Sequence, residues 1–533
     1  QRISNVTYQG SFSIERRTGL PVQQPNSVET RFGAVKPSQL RGQQRSNLLN
    51  GTISRWRVQA STILITPDGW EADRMGFSND PFTPAQTRID AEDVVAREQA
   101  NGDVLISARR NRLIVEEQLP IPVTRRQLIQ KEEEVENRWV FGIDNKDRDG
   151  FFIGRNLKPI ELSRDLTLEL QPQFLIQRAY AGETDSYPAA GSPADSEKVS
   201  QLTSIGDLFG LKANLKGQLW SWRSNLKADI NTFNPQNFAN GSRYWGNIDK
   251  DFELPWLGDV TASLFGAYRY RAWNGSLGQT DVHAAVGGFI EQTKTFYLGK
   301  LTNSYLWRFG VGNYKADSFT SNNLTDNLRA NFYGSINSSY PIWSGKRAPL
   351  SPNKAYRYSH SAITPGLSFS TNLNTNNSYY GDGTRQTTVS LSGGPTLTLG
   401  TLSKPFLDYT QLSISSSVTY RQGSSPFSFD QAIDLGALGL GITQQIVGPL
   451  VINAGIGINV DPTSEYYGDV INSNFELLWQ RRSYDFGLYM NPYQGMGGFR
   501  FRLNDFNFDG TGVPFVPYAP TNWMNTTNAD RPF

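Results

Sequence analysis

The stretch that decides the fold runs from Val451 to Val460 and reads VINAGIGINV. Apolar side chains alternate with Asn and Gly from Ile452 onward. Successive side chains of a β-strand point to opposite faces, so this spacing predicts a strand with one apolar and one polar face. A tilted membrane strand needs about 9–11 residues, whereas strands of soluble sheets usually have about 5–6. The length therefore favours a strand of a membrane β-barrel.

The same alternation recurs through the C-terminal three-quarters of the chain, for example in 388–399, 412–421, 484–491 and 499–504. In 261–273 it predicts that Leu264, Tyr268 and Tyr270 face lipid. About 18 strands of this kind can be counted, and single-chain bacterial barrels have an even number. We therefore predict an all-β chain built on an antiparallel transmembrane β-barrel of about 18–26 strands.

Composition agrees with a barrel whose lumen is hydrated. Of 533 residues, 38% are hydrophobic and 12% aromatic, with 49 Gly, while the mean hydropathy is −0.46. No apolar run approaches the roughly 18 residues of a membrane helix. A soluble propeller is the alternative, since it also mixes Gly with aromatics. The net charge of +2 without a basic run argues against nucleic acid as a partner, and the absence of Cys excludes disulfides and thiolate metal sites.

Residues 1–130 differ from the rest, with short β-like runs bounded by turn residues. We predict a small β-domain here, followed by the barrel in 131–533. Because the chain begins at Gln1, we expect a secretory leader to precede it. Long loops are predicted at 183–200 and 344–356, which are rich in Pro, Ala, Ser and Gly. The arginines predicted to line the lumen are Arg269, Arg271, Arg308 and Arg421.

Residues that could carry catalysis or bind a metal are few. The two histidines, His283 and His360, are far apart in the sequence, so we predict no enzyme activity, no cofactor and no metal site. The segment 145–150 reads NKDRDG and resembles half of a calcium loop, but Asn156 stands where the final Glu is needed. A β-turn between two strands is the favoured interpretation.

Two prolines fall in the predicted first strands of the barrel, Pro159 and Pro172. Proline has no N–H to donate to a strand ladder, so strands that contain it pair weakly. Two interpretations stay open: the prolines mark a seam that parts sideways, or they sit at loop edges and bulges.

Taken together, the chain resembles the cyanobacterial form of the LptD (organic solvent tolerance) family of lipopolysaccharide-assembly outer-membrane proteins. The resemblance is carried by five stretches spread over nearly the whole chain: Phe77–Arg88, Arg138–Arg155, Arg271–Gly278, Ser403–Thr410 and Asp505–Gly512. The absence of Cys is a departure, because proteobacterial members tie their two domains together with disulfides.

The resemblance implies a periplasmic jelly-roll domain similar to LptA (OstA), with an apolar groove that receives lipopolysaccharide from an LptA-like bridge protein. The groove residues expected from the short runs are Val104, Ile106, Leu113 and Val115. It further implies an outer-membrane barrel whose lateral gate, between first and last strands, releases the acyl chains. The gate candidates are Pro159, Pro172, Phe499 and Phe501. The barrel-assembly machinery is an expected partner, and a plug lipoprotein in the lumen is an open alternative.

The main competing function is that of a general or solute-specific porin, which has no need of a separate lipid-binding domain. A lipid-modifying enzyme of the outer membrane is a third alternative. Loss of activity on replacing His283 or His360 would indicate it.

Overall fold

The computed structural model describes residues 57–60, 64–66, 69–98, 104–122, 126–129, 139–157, 160–163, 166–189, 192, 196–255 and 257–504. Two parts follow one another along the chain, an N-terminal β-sheet and a closed β-barrel. Pro159 and the stretch Asp505–Gly512 lie outside the described residues, as do the side chains of Val104, Ile106, Phe499 and Phe501.

The N-terminal part is an eight-stranded antiparallel sheet. Its strands are β1 (Arg57–Ala60), β2 (Leu64–Thr66), β3 (Gly69–Ser78), β4 (Thr87–Glu98), β5 (Val104–Ser107), β6 (Arg110–Val115), β7 (Leu119–Pro122) and β8 (Arg126–Ile129). The long strands β3 and β4 form its centre, and β4 pairs with both β5 and β6. The cross-strand partners Met75 with Ala91 and Ile89 with Leu113 are apolar and buried, which gives the sheet one apolar face.

The barrel is formed by nineteen strand segments that close on themselves. The first are β9 (Trp139–Asp144), β10 (Gly150–Arg155), β11 (Ile160–Ser163) and β12 (Leu166–Phe174), and a small hairpin, β13 (Glu183–Thr184) with β14 (Gln201–Leu202), lies in the next loop. The wall continues with β15 (Phe209–Leu219), β16 (Trp222–Ile230), β17 (Ser242–Leu254), β18 (Gly258–Trp273), β19 (Gln279–Leu298), β20 (Leu301–Asp317), β21 (Leu324–Ser344) and β22 (Gly366–Tyr380). It ends with β23 (Arg385–Leu399), β24 (Thr410–Gly423), β25 (Gly436–Val447), β26 (Leu450–Asn459), β27 (Val470–Gln480), β28 (Tyr484–Asn491) and β29 (Met496–Leu503).

The segments β10 and β11 are two parts of one barrel strand, because both pair with β12 in nearly the same register. Between them the backbone N–H of Leu157 donates to the carbonyl of Leu170 at 2.9 Å. The wall therefore has 18 strands, and the predicted fold class is confirmed at the low end of its range. The hairpin turns alternate between two ends, and the N-terminal sheet contacts the barrel at one of them. We call this the near end and the opposite one the far end.

The outer wall of the barrel is apolar, as the alternation predicted. Leu391 and Val418 are cross-strand partners on β23 and β24, and their side chains are 59% and 71% exposed. On β26 Asn453 and Asn459 are buried on the opposite face from Ile456. An apolar outer wall on a closed, edge-free sheet is the surface that a membrane-spanning barrel presents to lipid.

One predicted lipid-facing residue was wrong. Leu264 is exposed, but Tyr270 is buried and its ring lies edge-on against Trp245 at a centroid distance of 6.1 Å. The reason is local. Arg269 has a φ of +50°, a left-handed conformation that interrupts the alternation of side chains along β18.

Helices are few and short among the described residues: α1 (Ile176–Ala181), α2 (Phe238–Gly241) and the 3-10 turns Ile205–Leu208 and Gly275–Leu277. Within the described ranges, no helix is long and apolar enough to cross a membrane.

Candidate functional site

The barrel closes where β9 meets β29, and this closure, the seam, is its shortest pairing between whole strands in the described wall. Only three residue pairs connect the two strands: Asp144 with Met496, Ile143 with Gly497 and Gly142 with Gly498. By contrast β29 pairs with β28 over eight residues. At a net ~0.5–1.5 kcal/mol for each ladder hydrogen bond, three pairs contribute roughly 1.5–4.5 kcal/mol and eight roughly 4–12 kcal/mol.

Glycines among its paired residues leave the seam with little side-chain packing of its own. A Cβ atom on Gly142 would lie 2.6 Å from the ring of Phe152, and one on Gly498 would lie 2.6 Å from the hydroxyl of Tyr489. The rings of Phe152 and Tyr489, from the neighbouring strands β10 and β28, thus occupy the space beside the seam. The three pairs lie toward the far end, so the pairing of β9 with β29 ends partway along both strands.

The predicted gate residues fall at different distances from this seam. Phe499 and Phe501 belong to β29, where their backbones pair with Leu488 and Phe486 of β28. Pro172 lies in β12 opposite Leu211, two strands away from the seam, and its side chain is exposed. The N–H that Pro172 lacks therefore concerns the pairing of β12 with its own neighbours, and the pairing of β9 with β29 is not affected.

The lumen is occupied at the far end by the loop of residues 424–435, which we call the plug loop. Phe427 and Phe429 are fully buried and their rings stack at 5.2 Å. They pack against Tyr314, whose neighbours along β20 are exposed on the outer wall and which therefore points inward. The plug loop thus fills space inside the barrel with aromatic side chains. The expectation of a hydrated lumen was wrong at this end, where aromatic side chains pack inside the barrel.

A buried ion pair fixes the plug loop to the wall. The Nε and Nη2 atoms of Arg329 each donate to Asp430 at 2.7 Å, and the hydroxyl of Tyr380 donates to the same carboxylate at 2.6 Å. Both charged side chains are almost completely buried. Such a pair costs much to break, because one charge would be left buried without its partner.

Six residues converge in a second group at the far end, which we call the arginine–aspartate cluster. Its members share near-complete burial and mutual ion pairs: Asp144, Asp147, Arg148, Asp229, Arg243 and Arg271. Arg148, in the turn after β9, reaches Asp144 at 2.7 Å and Asp229 of β16 at 2.5 Å. The cluster thus ties the first turn of the barrel to its fifth, sixth and seventh strands.

The calcium-like segment 145–150 is a turn between β9 and β10, as favoured from the sequence. Its carboxylates face cations of the protein: Asp147 pairs with Arg243, and Asp149 accepts a hydrogen bond from Arg178 at 2.6 Å. In the part of the chain that the structure describes, no group of His, Asp and Glu could hold a metal ion.

Asp207 anchors the far-end loop between β14 and β15. Burial alone would raise the pKa of Asp207, but hydrogen bonds from Thr232, Tyr187 and Ser204 outweigh it. The pKa of this carboxyl therefore lies well below its usual range, and the carboxylate form is the one the fold stabilises.

The loop of residues 345–365, which we call the basal loop, packs against the inner wall at the near end of the lumen. Its buried side chains Tyr358 and Ile363 pack with Val451 and Leu478, which point inward from β26 and β27. The basal loop begins where the sequence predicted one. That it folds into the lumen was not predicted, because the packing partners lie about a hundred residues further along the chain.

The remaining predicted residues are spread over the molecule. Leu113 and Val115 are buried in the N-terminal sheet, where they pair with Ile89 and Thr87 of β4. Arg308 forms an ion pair with Glu291 on the neighbouring strand. Arg421 donates to the carbonyl of Ala432 in the plug loop at 2.6 Å.

Other predicted residues lie at opposite ends of the barrel. Arg269 and Arg271 are buried at the far end. The Nε2 atom of His283 is hydrogen-bonded to Asp317 Oδ1 at 3.1 Å near the far end. His360 belongs to the basal loop at the near end.

Residues 50–507 match a family described as a protein of unknown function, DUF3769. This stretch covers more than half of the chain. The chain belongs to this family. No curated protein matches the sequence. Among solved structures, the alcaligin outer-membrane receptor FauA from Bordetella pertussis matches at 10% identity, covering 83% of this chain and 74% of that one, with a TM-score of 0.21. That score is too low to carry an argument about function.

Proposed function

We propose that this protein lies in the outer membrane, receives lipopolysaccharide at its near end, and releases it into the outer leaflet through the seam between β9 and β29. The near end would face the periplasm with the N-terminal sheet, and the far end would face the outside. Lipopolysaccharide combines a large polar sugar with several acyl chains. A route for it needs a polar interior and a sideways exit into hydrocarbon.

The observation that carries the proposal is the short seam. The wall is paired over six residues between β9 and β10 and over eight between β28 and β29, but over three between β9 and β29. Opening costs least where the fewest ladder bonds are broken. The seam is thus the place at which acyl chains leave the barrel.

A porin is the competing function, and the described lumen supports it less. The plug loop and the basal loop place buried aromatic and aliphatic side chains inside the lumen at its two ends. A diffusion pore needs a continuous water-filled path. Lipopolysaccharide export needs an opening only while the lipid passes, so loops that lie inside the lumen at rest are compatible with it.

The partners follow from the same proposal. An LptA-like bridge protein would deliver lipid to the apolar interior of the N-terminal sheet, where Leu113 and Val115 lie. The barrel-assembly machinery would insert the chain. A plug lipoprotein would have to share the lumen with the plug loop and the basal loop.

Depletion in the native cell tests the proposal. We expect lipopolysaccharide at the cell surface to fall as the protein is depleted, and to return when the full chain is supplied. Uptake of small solutes is measured in parallel. Unchanged surface lipopolysaccharide with reduced solute uptake would favour the porin.

A further inference from the structure

The N-terminal sheet contacts the barrel at the base of its last hairpin, the one formed by β28 and β29. The side-chain amide of Asn79 donates to two backbone carbonyls, that of Ser483 at 2.7 Å and that of Asn504 at 2.8 Å. Ser483 comes directly before β28 and Asn504 directly after β29. One buried side chain of the N-terminal sheet therefore holds both strands of the hairpin at their near ends.

A buried ion pair reinforces this contact. The Nε atom of Arg482 donates to the two oxygens of Asp80 at 3.0 and 2.8 Å. The Asp80 side chain is 0% exposed and that of Arg482 is 9% exposed. Asp80 is itself held in place, because the backbone N–H groups of Phe82 and Gln86 donate to it at 2.9 Å. The two charges are thus fixed in position and shielded from water. Charges attract each other more strongly in such an environment than in water.

A second, more exposed pair lies beside the first. Arg481 donates to Glu116 at 2.6 Å, and the hydroxyl of Tyr484 reaches the same oxygen at 3.3 Å. Together, the contacts of Asn79, Asp80 and Glu116 with residues 481–484 and Asn504 form what we call the clamp. Asn79 and Asp80 belong to the stretch Phe77–Arg88, but nothing in the sequence indicated that they bind the barrel.

The clamp acts on one side of the seam. β29 is held at its near end through Asn504, while β9 pairs with β29 only toward the far end. The first strands, β9 to β12, lie on the other side of the seam, and the clamp residues named above do not include any of them. The two sides of the seam are thus held at opposite ends: β28 and β29 at the near end by the clamp, and the turn between β9 and β10 at the far end by the arginine–aspartate cluster.

We propose that the clamp keeps β28 and β29 fixed to the N-terminal sheet, so that the seam opens by displacement of the near end of the first hairpin, β9 with β10 and β11, while the arginine–aspartate cluster holds its far-end turn. This inference rests on the proposed function in one respect, that the seam opens for lipopolysaccharide. It adds to that function which side of the seam moves. Asn79, Asp80 and Arg482 are then positioning residues. They keep a lipid that is bound to the N-terminal sheet aligned with β28 and β29, the side of the seam that does not move.

Distances between spin labels test the inference in the full chain, which has no Cys of its own. Labels are placed at Leu119 of the N-terminal sheet and at either Leu488 of β28 or Leu162 of β11, all with exposed side chains. The protein is reconstituted in lipid vesicles, and distances are measured before and after purified lipopolysaccharide is added. We expect the distance from Leu119 to Leu488 to stay constant and that from Leu119 to Leu162 to shift.

The opposite pattern, a shift to Leu488 with none to Leu162, overturns the inference and leaves the proposed function standing. If neither distance changes although surface lipopolysaccharide depends on the protein in cells, lipid export stands and opening of the seam is refuted, and the inference with it.

Variants of the clamp are tested in the same vesicles without added lipopolysaccharide. Arg482→Gln should broaden the distance distribution between Leu119 and Leu488, and Asn79→Ala should do so to a smaller extent. Arg109→Gln, which breaks an exposed ion pair in the same sheet, is the matched control and should leave it unchanged. Folding of each barrel is checked by its heat-dependent mobility in gels. A folded Arg482→Gln protein with the narrow wild-type distribution contradicts the clamp.

Discussion

Replacing Ile456 by Arg tests whether the apolar wall faces lipid. Ile456 is the middle member of the alternating run that begins at Ile452 and ends at Val460, and it lies between Leu440 and Ser473 of the neighbouring strands. Arg at the midplane of a membrane barrel costs about 2–4 kcal/mol, and near the interface about 0–1 kcal/mol. We therefore expect Ile456→Arg to destabilise the inserted barrel by about 2–4 kcal/mol.

The position of Val460 provides a measure of depth on the same face. It lies four residues from Ile456, which is ~13 Å along a strand at ~3.3 Å per residue. With a strand tilt of about 35–45°, the difference in depth is ~10 Å, close to half of the ~25 Å apolar band. Val460→Arg should therefore cost about 0–1 kcal/mol.

The assay is reversible unfolding from lipid vesicles by denaturant, followed by the fluorescence of the native tryptophans. Gly455→Arg is the control for the opposite face, because Gly455 pairs with Gly441 and Asn474 and points to the lumen. If Gly455→Arg costs as much as Ile456→Arg, the assignment of the two faces is refuted. If Val460→Arg costs as much as Ile456→Arg, the depth assigned to the two residues is refuted.

Three further predictions follow from the plug loop, the N-terminal sheet and the far-end loops. Arg329→Gln breaks the buried pair with Asp430 and should release the plug loop, so that the conductance of the barrel in a planar bilayer rises, whereas Arg385→Gln at an exposed site should leave it low; equal conductance of the two variants would speak against a plug. A photo-crosslinker at Leu113 or Val115 should capture lipopolysaccharide in cells and one at exposed Arg112 should not, and capture at Arg112 alone would show that the lipid contacts the other face. Because the pKa of Asp207 is lowered in the folded protein, the Asp207 carboxylate stabilises the fold above the unfolded pKa of about 3.9, and this stabilisation is lost as the pH falls below that value. Asp207→Asn should therefore make the free energy of unfolding less dependent on pH below about 3.9. An unchanged pH dependence would contradict the role of Asp207.

The wall of the barrel could be predicted from the sequence because its alternation is a local property. Leu391 and Val418 are exposed on the outer wall because each occupies an alternate position of a long strand, and no distant residue is needed to see it. The same reasoning failed at Tyr270, since a single left-handed residue, Arg269, interrupts the alternation and leaves no mark in the pattern of residue types.

The packing of the two loops inside the lumen and the clamp could not be predicted, because they depend on residues far apart in the chain. In the sequence Phe427 is an ordinary aromatic residue of a loop. Its contacts with Tyr314 and Tyr380 form only when the barrel closes. Asp80 and Arg482 are about four hundred residues apart, and each alone is an ordinary surface charge. Pro172 shows the converse: its residue type suggested the seam, but the count of strands places it two strands away.

A reversible lock across the seam tests the proposed route most directly. Ile143 and Gly497 are cross-strand partners, and antiparallel partners have Cα atoms about 4.5–5.5 Å apart, which a disulfide can span. The chain has no Cys, so Ile143→Cys with Gly497→Cys adds the only pair. The matched control is Ile290→Cys with Phe309→Cys, a cross-strand pair on the outer wall between β19 and β20. In cells that depend on the variant, oxidation should stop the appearance of new lipopolysaccharide at the surface, reduction should restore it, and the control should export in both states. Undiminished export through a barrel whose seam is fully crosslinked would contradict the account.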